Sequence, residues 1–157
     1  MVGESLSITI HQASIKDLET LYQIERECFT IEAFSKQHIA YLLENPNAVS
    51  LVAQINSEIA GFIVGLTYRL DKLITGHVYT LDVAVKYRRK GVGLRLLDEL
   101  ERIFVKRGVK ICYLEARVDN VVARKLYRKH GYAEVKKLKK YYRGIHGVRL
   151  EKKLENE

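Results

Sequence analysis

The chain is short of the residues that staple, anchor or divide a protein. It has two cysteines, Cys28 and Cys112, and one proline in 157 residues. Two cysteines cannot build a disulfide framework, and their separation has no metal-ligand spacing. Each reads as a small buried or half-buried side chain, with a reducing cytoplasm as the expected setting. No apolar run is long enough to span a bilayer, so no membrane role is expected. The opening "MVGESLSITIHQ" has no basic segment followed by an apolar block, so no signal peptide is expected. There is no internal repeat, no linker and no low-complexity stretch. Residues 1–157 therefore read as one domain.

What is present is ordinary globular material with a basic excess. Hydrophobic residues make up 47% and charged residues 29%. Lys and Arg outnumber Asp and Glu by 27 to 19, a net charge of +8. That balance favours polyanionic surroundings such as nucleic acid, a ribosome or an anionic cofactor, without choosing among them.

Pattern orders the chain as β-α-α-β-β-β-α-β-α-β-β. "SITIHQA" alternates as a strand, and Ser14 with Asp17 resembles a capping box before a helix through Phe29. "TIEAF" is a short break. Ser35 then opens a helix that stops at Asn45-Pro46. "SLVAQI" and "IAGFIVGLTYRL" flank the turn residues Asn56-Ser57 as a hairpin. "HVYTLDVAV" is a strand. The next helix runs to Arg107 with Leu94, Leu97, Leu100, Ile103 and Phe104 as its apolar side and Gly108 after its end. "KICYLEA" is a strand, Asn120 caps "VVARKLYRKH", and Gly131 ends it. "AEVKKL" and "GVRLEKKL" read as last strands around a loop "KKYYRGIHG". The order predicts an α/β domain with a mixed sheet.

One stretch carries chemistry. "YRRKGVGLRLL" puts three cations and two glycines at a helix start. A helix N-terminus carries unpaired N–H groups and about half a positive charge. Glycine lets a ligand approach that backbone, so the stretch is suited to an anion, above all a phosphate. It does not fit the Walker pattern, and it lacks the third glycine of the dinucleotide fingerprint. What remains is R-x-x-G-x-G, Arg88 to Gly93, after the strand "LDVAV". Downstream, "YLEARVDNVVARKLYRKHGY" supplies strand, Asn, helix and Tyr127.

Together these segments resemble the GNAT N-acetyltransferases. "GHVYTLDVAVKYRRKGVG", "YLEARVDN", "ARKLYRKHGY" and "KKYYRG" look most like the RimI-type and archaeal protein N-terminal acetyltransferases. The resemblance implies a single GNAT domain, with a mixed, mostly antiparallel sheet of about seven strands and about four helices. It implies acetyl-CoA as cofactor. The diphosphate would lie on the amides of Arg89, Lys90, Gly91, Val92, Gly93 and Leu94, with Arg88 and Arg89 adding charge. Backbone groups of Leu81 and Val83 would pair with the pantetheine arm, and Asn120 would contact it or serve as helix cap.

The implied reaction is attack of an amine on a thioester. It needs a neutral amine, a stabilised oxyanion and a protonated leaving thiolate. By resemblance, Tyr127 is the acid. Its phenol, near pKa ~10, can donate to a thiolate whose conjugate acid is near ~8.5. Glu115 matches the base, with an ion pair to Arg117 or another cation as the alternative for a carboxylate in "CYLEA". His77 aligns with a histidine of archaeal relatives and could share the proton. An α-amine near pKa ~7.7–8.0 needs only a modest base, whereas lysine near ~10.4 needs a stronger one. The acceptor peptide would sit between a wall with Phe29, Glu32 and Phe34 and a second with Tyr141 and Tyr142.

These features point to N-terminal protein acetylation in the cytoplasm, with ribosome proximity compatible, no specific nucleic acid and the oligomeric state open. Acetylation of lysine or a small amine is the nearest alternative. A basic nucleic-acid or ribosome-binding module is the alternative of a different class.

Overall fold

The computed structural model describes residues 7–29 and 32–155. Residues 1–6, the first two residues after Phe29 and the last two of the chain lie outside that description, so the leader reading and part of the "TIEAF" break do too. The elements are β1 (Thr9–Gln12), α1 (Leu18–Cys28), α2 (Lys36–Glu44), β2 (Ala48–Ile55), β3 (Glu58–Leu70) and β4 (Leu73–Val83). After them come α3 (Val92–Lys106), β5 (Val109–Arg117), α4 (Val121–Lys129), β6 (Ala133–Tyr142) and β7 (Ile145–Lys153). This is the order that pattern predicts. Pairing orders seven strands as β1-β2-β3-β4-β5-β7-β6. β4 with β5 is parallel, while β1–β2, β2–β3, β5–β7 and β6–β7 are antiparallel.

By compactness the chain divides into two units, Met1–Leu66 with Tyr79–Ile103, and Thr67–Val78 with Phe104–Glu157. In the first, α1 and α2 lay Leu21, Ile24, Ile39 and Leu42 on Val52, Phe62, Val64 and Leu66. The strand side is apolar at successive positions because that stretch of sheet is covered. Ser14 donates its N–H to the Asp17 carboxylate at 2.9 Å. The cap leads through a short 3-10 turn into α1. Ser35 accepts the His38 N–H and starts α2. Asn56 and Ser57 have φ of 51° and 68°, the twist that a two-residue hairpin turn needs.

The second unit is built on β5. Cys112, Leu114 and Ala116 are buried on one face, and Tyr113, Glu115 and Arg117 are half-buried on the other. Phe104, Tyr132 and Leu150 are also buried in this unit. Gly76 is required there, since a Cβ would lie 2.5 Å from the Phe104 ring.

Two sequence expectations change. "KKYYRGIHG" is not a loop: β6 runs through Tyr142, and a two-residue turn at Arg143 and Gly144, both with positive φ, joins it to Ile145. Cross-strand pairing extends the strands where lysine and glycine content alone suggests a break. Leu94 is 37% exposed rather than part of the α3 core, whose buried positions are Val92, Leu96, Leu97, Leu100 and Phe104. The helix begins at Val92, and that register turns Leu94 outward.

β6 closes one end of the sheet. Lys136, Lys137, Lys139 and Lys140 are all exposed along it, and its register with β7 shifts twice.

Candidate active site

The first unit carries the loop predicted to hold an anion. After β4 the chain makes a 3-10 turn, Val85–Tyr87, and reaches the glycines. Arg89 has φ 63° and Gly91 has φ 82°. The Gly91 carbonyl accepts the Arg95 N–H at 3.1 Å, so α3 is capped at Gly91. The N–H groups of Val92, Gly93 and Leu94 form the first turn, where a helix has no partner of its own for them. Arg89, Lys90 and Gly91 are exposed. A Cβ on Gly91 would meet nothing within 4 Å. A Cβ on Gly93 would meet only Val83 Cγ2 at 3.7 Å and Leu81 Cδ2 at 3.9 Å, which is ordinary contact.

Arg88 is not aimed along this loop. Its Nε donates to the Val83 carbonyl at 3.1 Å and its Nη2 to Cys28 Sγ at 3.4 Å. The Cys28 thiol reaches the same carbonyl at 3.4 Å. Burial pushes that thiol's pKa up. The Val83 carbonyl is thus already engaged. The β4–β5 ladder runs from Ile74↔Val109 to His77↔Tyr113, and β4 continues to Val83.

The predicted acceptor residues of this unit fall together only in part. Phe29 follows the last turn of α1 and donates its N–H to the Glu25 carbonyl at 2.9 Å. The Phe34 ring stacks on Tyr79 at 5.0 Å and lies 4.9 Å from the His38 ring. Glu32 is half-buried.

The second unit carries the candidate acid–base groups. His77 Nε2 lies 2.8 Å from Glu115 Oε1, with each side chain 15% exposed. The Arg117 partner considered for Glu115 goes instead to Asp119, at 2.9 Å. The His77 ring stacks on Tyr113 at 4.4 Å and 9°. Arg149 lies over the Tyr113 ring at 3.9 Å and is the cross-strand partner of Glu115. Burial, then the Glu115 charge, raises the Tyr113 pKa. A sandwiched ring fixes the neighbouring imidazole in one plane.

Tyr127 is half-buried near the end of α4, edge-on to Tyr132 at 6.0 Å. Its carbonyl accepts the N–H groups of His130 and Tyr132, both at 3.0 Å. Asn120 Oδ1 accepts the Ala123 N–H at 3.1 Å, so the cap role holds and its amide NH2 is the remaining donor. Tyr142 packs against Gly147, where a Cβ would lie 2.9 Å from the ring. Tyr141 is 54% exposed.

Sequence reasoning missed Tyr113 and Arg149. The strand alternation in "CYLEA" already puts Tyr113 on the Glu115 side. It also missed three polar residues of the first unit, Glu25, Thr80 and Asp82, all buried. Among the described residues, no cluster fits a metal ion.

A family model described as "Acetyltransferase (GNAT) family" matches residues 18–132. An uncharacterized N-acetyltransferase of Methanocaldococcus jannaschii is 34% identical over 134 residues, covering 85% of this chain and 83% of that protein. An N-alpha-acetyltransferase of Sulfurisphaera tokodaii is 32% identical over 143 residues, covering 85% and 84%. Among solved structures, Ard1 from Thermoplasma volcanium is similar with a TM-score of 0.85 and 25% identity, over 95% of this chain and 99% of that one. The ribosomal-protein-S18-alanine N-acetyltransferase from Escherichia coli gives a TM-score of 0.83 at 24% identity, over 96% of each chain.

Proposed function

The chain belongs to the GNAT acetyltransferase family, and from that premise we propose that it acetylates the N-terminal amine of proteins or peptides with acetyl-CoA. In this reading residues 1–157 act as one catalytic domain. The N-alpha-acetyltransferase relative from Sulfurisphaera tokodaii supports it. The observation that carries it is the contact between His77 Nε2 and Glu115 Oε1 at 2.8 Å. An α-amine is partly neutral at neutral pH, so a carboxylate shared with an imidazole is base enough.

The residues present fit an anionic cofactor. The helix start, the left-handed Gly91 and the exposed Arg89 and Lys90 favour a diphosphate. Gly93 adds a sharper argument. Its protein neighbours leave room for a Cβ, so its bareness serves something outside the packed chain. The amides from Arg89 to Leu94 would hold the diphosphate. Leu81, the Val83 N–H and the Asn120 NH2 group would hold the pantetheine arm. Arg88 acts indirectly, by fixing the end of β4.

Acetyl-CoA supplies the activated acyl group as a thioester. Glu115 takes up the amine proton, with His77 sharing it through Nε2. Tyr127 offers its phenolic proton to the leaving sulfur. Phe29, Glu32, Phe34, Tyr141 and Tyr142 shape the acceptor's surroundings. The net charge of +8 supports work beside a polyanion such as the ribosome, in the cytoplasm. Among the described residues, no helix is long and apolar enough to cross a membrane.

The test is acetyl-CoA turnover on peptides varied at their first two residues, beside N-blocked lysine peptides and polyamines. Mass spectrometry should find the acetyl group on the α-nitrogen. Faster turnover on lysine or on polyamines overturns the reading.

A further inference from the structure

Two carboxyl groups lie where water does not reach. Glu25 on α1 and Asp82 on β4 are each 1% exposed. Neither is in an ion pair among the described residues. Thr80 sits between them, with Oγ1 3.2 Å from Glu25 Oε1 and 2.5 Å from Asp82 Oδ1. The Phe34 N–H donates to the other Glu25 oxygen, Oε2, at 3.1 Å.

Proton counting decides how this cluster works. The two contacts that Thr80 makes need two protons. The Thr80 hydroxyl has one, and an ionised carboxylate has none. One carboxyl must therefore supply the second. An ionised Glu25 is well served, because it accepts from Thr80 at one oxygen and from Phe34 at the other. Asp82 is not: its Oδ2 is buried with no donor beside it, and the neighbouring group is the Glu25 carboxyl. A charge left there would be costly, so the proton belongs on Asp82.

The surroundings agree. Burial, then hydrogen bonding and charge from Glu25, hold the Asp82 carboxyl well above the usual aspartate range, while Thr80 and the Arg88 charge pull weakly the other way. Among the described residues, Arg88 and Cys28 also interact electrostatically with Asp82. Their contacts go to each other and to the Val83 carbonyl.

We propose that Glu25 is a positioning residue for the acceptor wall, held by a directed chain in which neutral Asp82 donates to Thr80 and Thr80 donates to Glu25. This rests on the reading of Phe29 and Phe34 as that wall. The Glu25 side chain grips Phe34, while its backbone carbonyl grips Phe29 at 2.9 Å. One residue thus fixes both described flanks of the segment between α1 and α2. The partners on β4 belong to the strand whose end is read as the cofactor edge. The two substrates are thereby referred to one frame.

The experiment has one arm for the proton and one for the wall. In Asp82→Asn the amide donates to Thr80 as a neutral carboxyl does. The wild-type native state keeps a proton that the unfolded chain gives up near pH ~3.9. Its stability is then full below that value and falls as pH rises through the raised native pKa; the variant lacks this loss. Melting from pH 5 to 9 should move the Tm difference toward Asp82→Asn by at least about 3 °C. No movement, or movement toward wild type, overturns the proton assignment.

In Glu25→Leu the Phe34 N–H loses its acceptor and the site stays apolar. Hydrogen exchange at Phe34 should speed at least tenfold relative to Leu42 in α2. The peptide KM should rise about tenfold with kcat within threefold. Glu25→Gln should rescue both, because its amide oxygen can still accept from Phe34. Phe34 exchange and peptide KM within twofold of wild type in Glu25→Leu overturn the positioning role. If the wild-type chain acetylates no peptide, the functional reading fails, while exchange and melting still judge the hydrogen-bond chain.

Discussion

His77 Nε2 and Glu115 Oε1 meet at 2.8 Å across 38 residues of sequence, with the imidazole laid flat on Tyr113. β4 and β5 bring them together, since His77 and Tyr113 are register partners and Glu115 follows on the same face. Replacing Glu115 by Gln should lower kcat/KM for peptide by about 100-fold, within the usual range for a lost general base. Replacing His77 by Gln should cost less, about tenfold. Calorimetry should find acetyl-CoA affinity within threefold of wild type in both.

Tyr127→Phe removes a hydroxyl and keeps the ring that packs edge-on against Tyr132. A group that acts only as the sulfur departs should lower kcat and kcat/KM together. The expected loss is about 100-fold in kcat with peptide KM unchanged, read from initial rates of CoA release. A change confined to KM would move Tyr127 from chemistry to binding.

Gly93→Ala separates packing from ligand approach. The added methyl meets Val83 and Leu81 at 3.7 and 3.9 Å, so the protein should melt within about 2 °C of wild type. Acetyl-CoA should bind at least tenfold more weakly by calorimetry, because the methyl stands at the proposed seat of the diphosphate. Unchanged affinity would remove the argument from Gly93.

Gly76→Ala is a test of the fold alone. Its Cβ would lie 2.5 Å from the Phe104 ring. Overpacking of this kind costs about 1–3 kcal/mol. Adding Phe104→Leu should recover part of that loss. Urea unfolding of the single and double variants measures both.

Acid should weaken the tie between α4 and β6. Arg124 holds Glu134 through two contacts, at 2.7 and 3.0 Å, and lowers its pKa. Because the native value is the lower one, this tie contributes fully above the ordinary glutamate value of ~4.3 and is lost as pH falls through the native value. Glu134→Gln should lower Tm at pH 7 by a few degrees, and the difference should shrink as pH falls below the ordinary glutamate value of ~4.3.

The fold was legible because pattern and punctuation agreed. Ser35, Asn120 and Gly108 stand at helix ends where capping chemistry puts them, and the turn at Asn56-Ser57 has the φ values its residue types favour. The glycine turn before α3 was legible for the same reason: its signal is local. Lengthening of β6 and β7 past Leu138 was not, because pairing between strands sets it. The carboxyl cluster was also hidden. Glu25 lies four residues after Leu21 on the buried stripe of α1, which is a signal, but its partners Thr80 and Asp82 are 55 and 57 residues away. Only the folded chain shows that one hydroxyl stands between two acids.

The outermost strand has a consequence for a protein that handles loose chain ends. An extended peptide sliding along β6 would meet a row of ammonium groups and a backbone whose spacing breaks twice. It would find no uniform template to zip against. This edge of the sheet therefore discourages the addition of another strand.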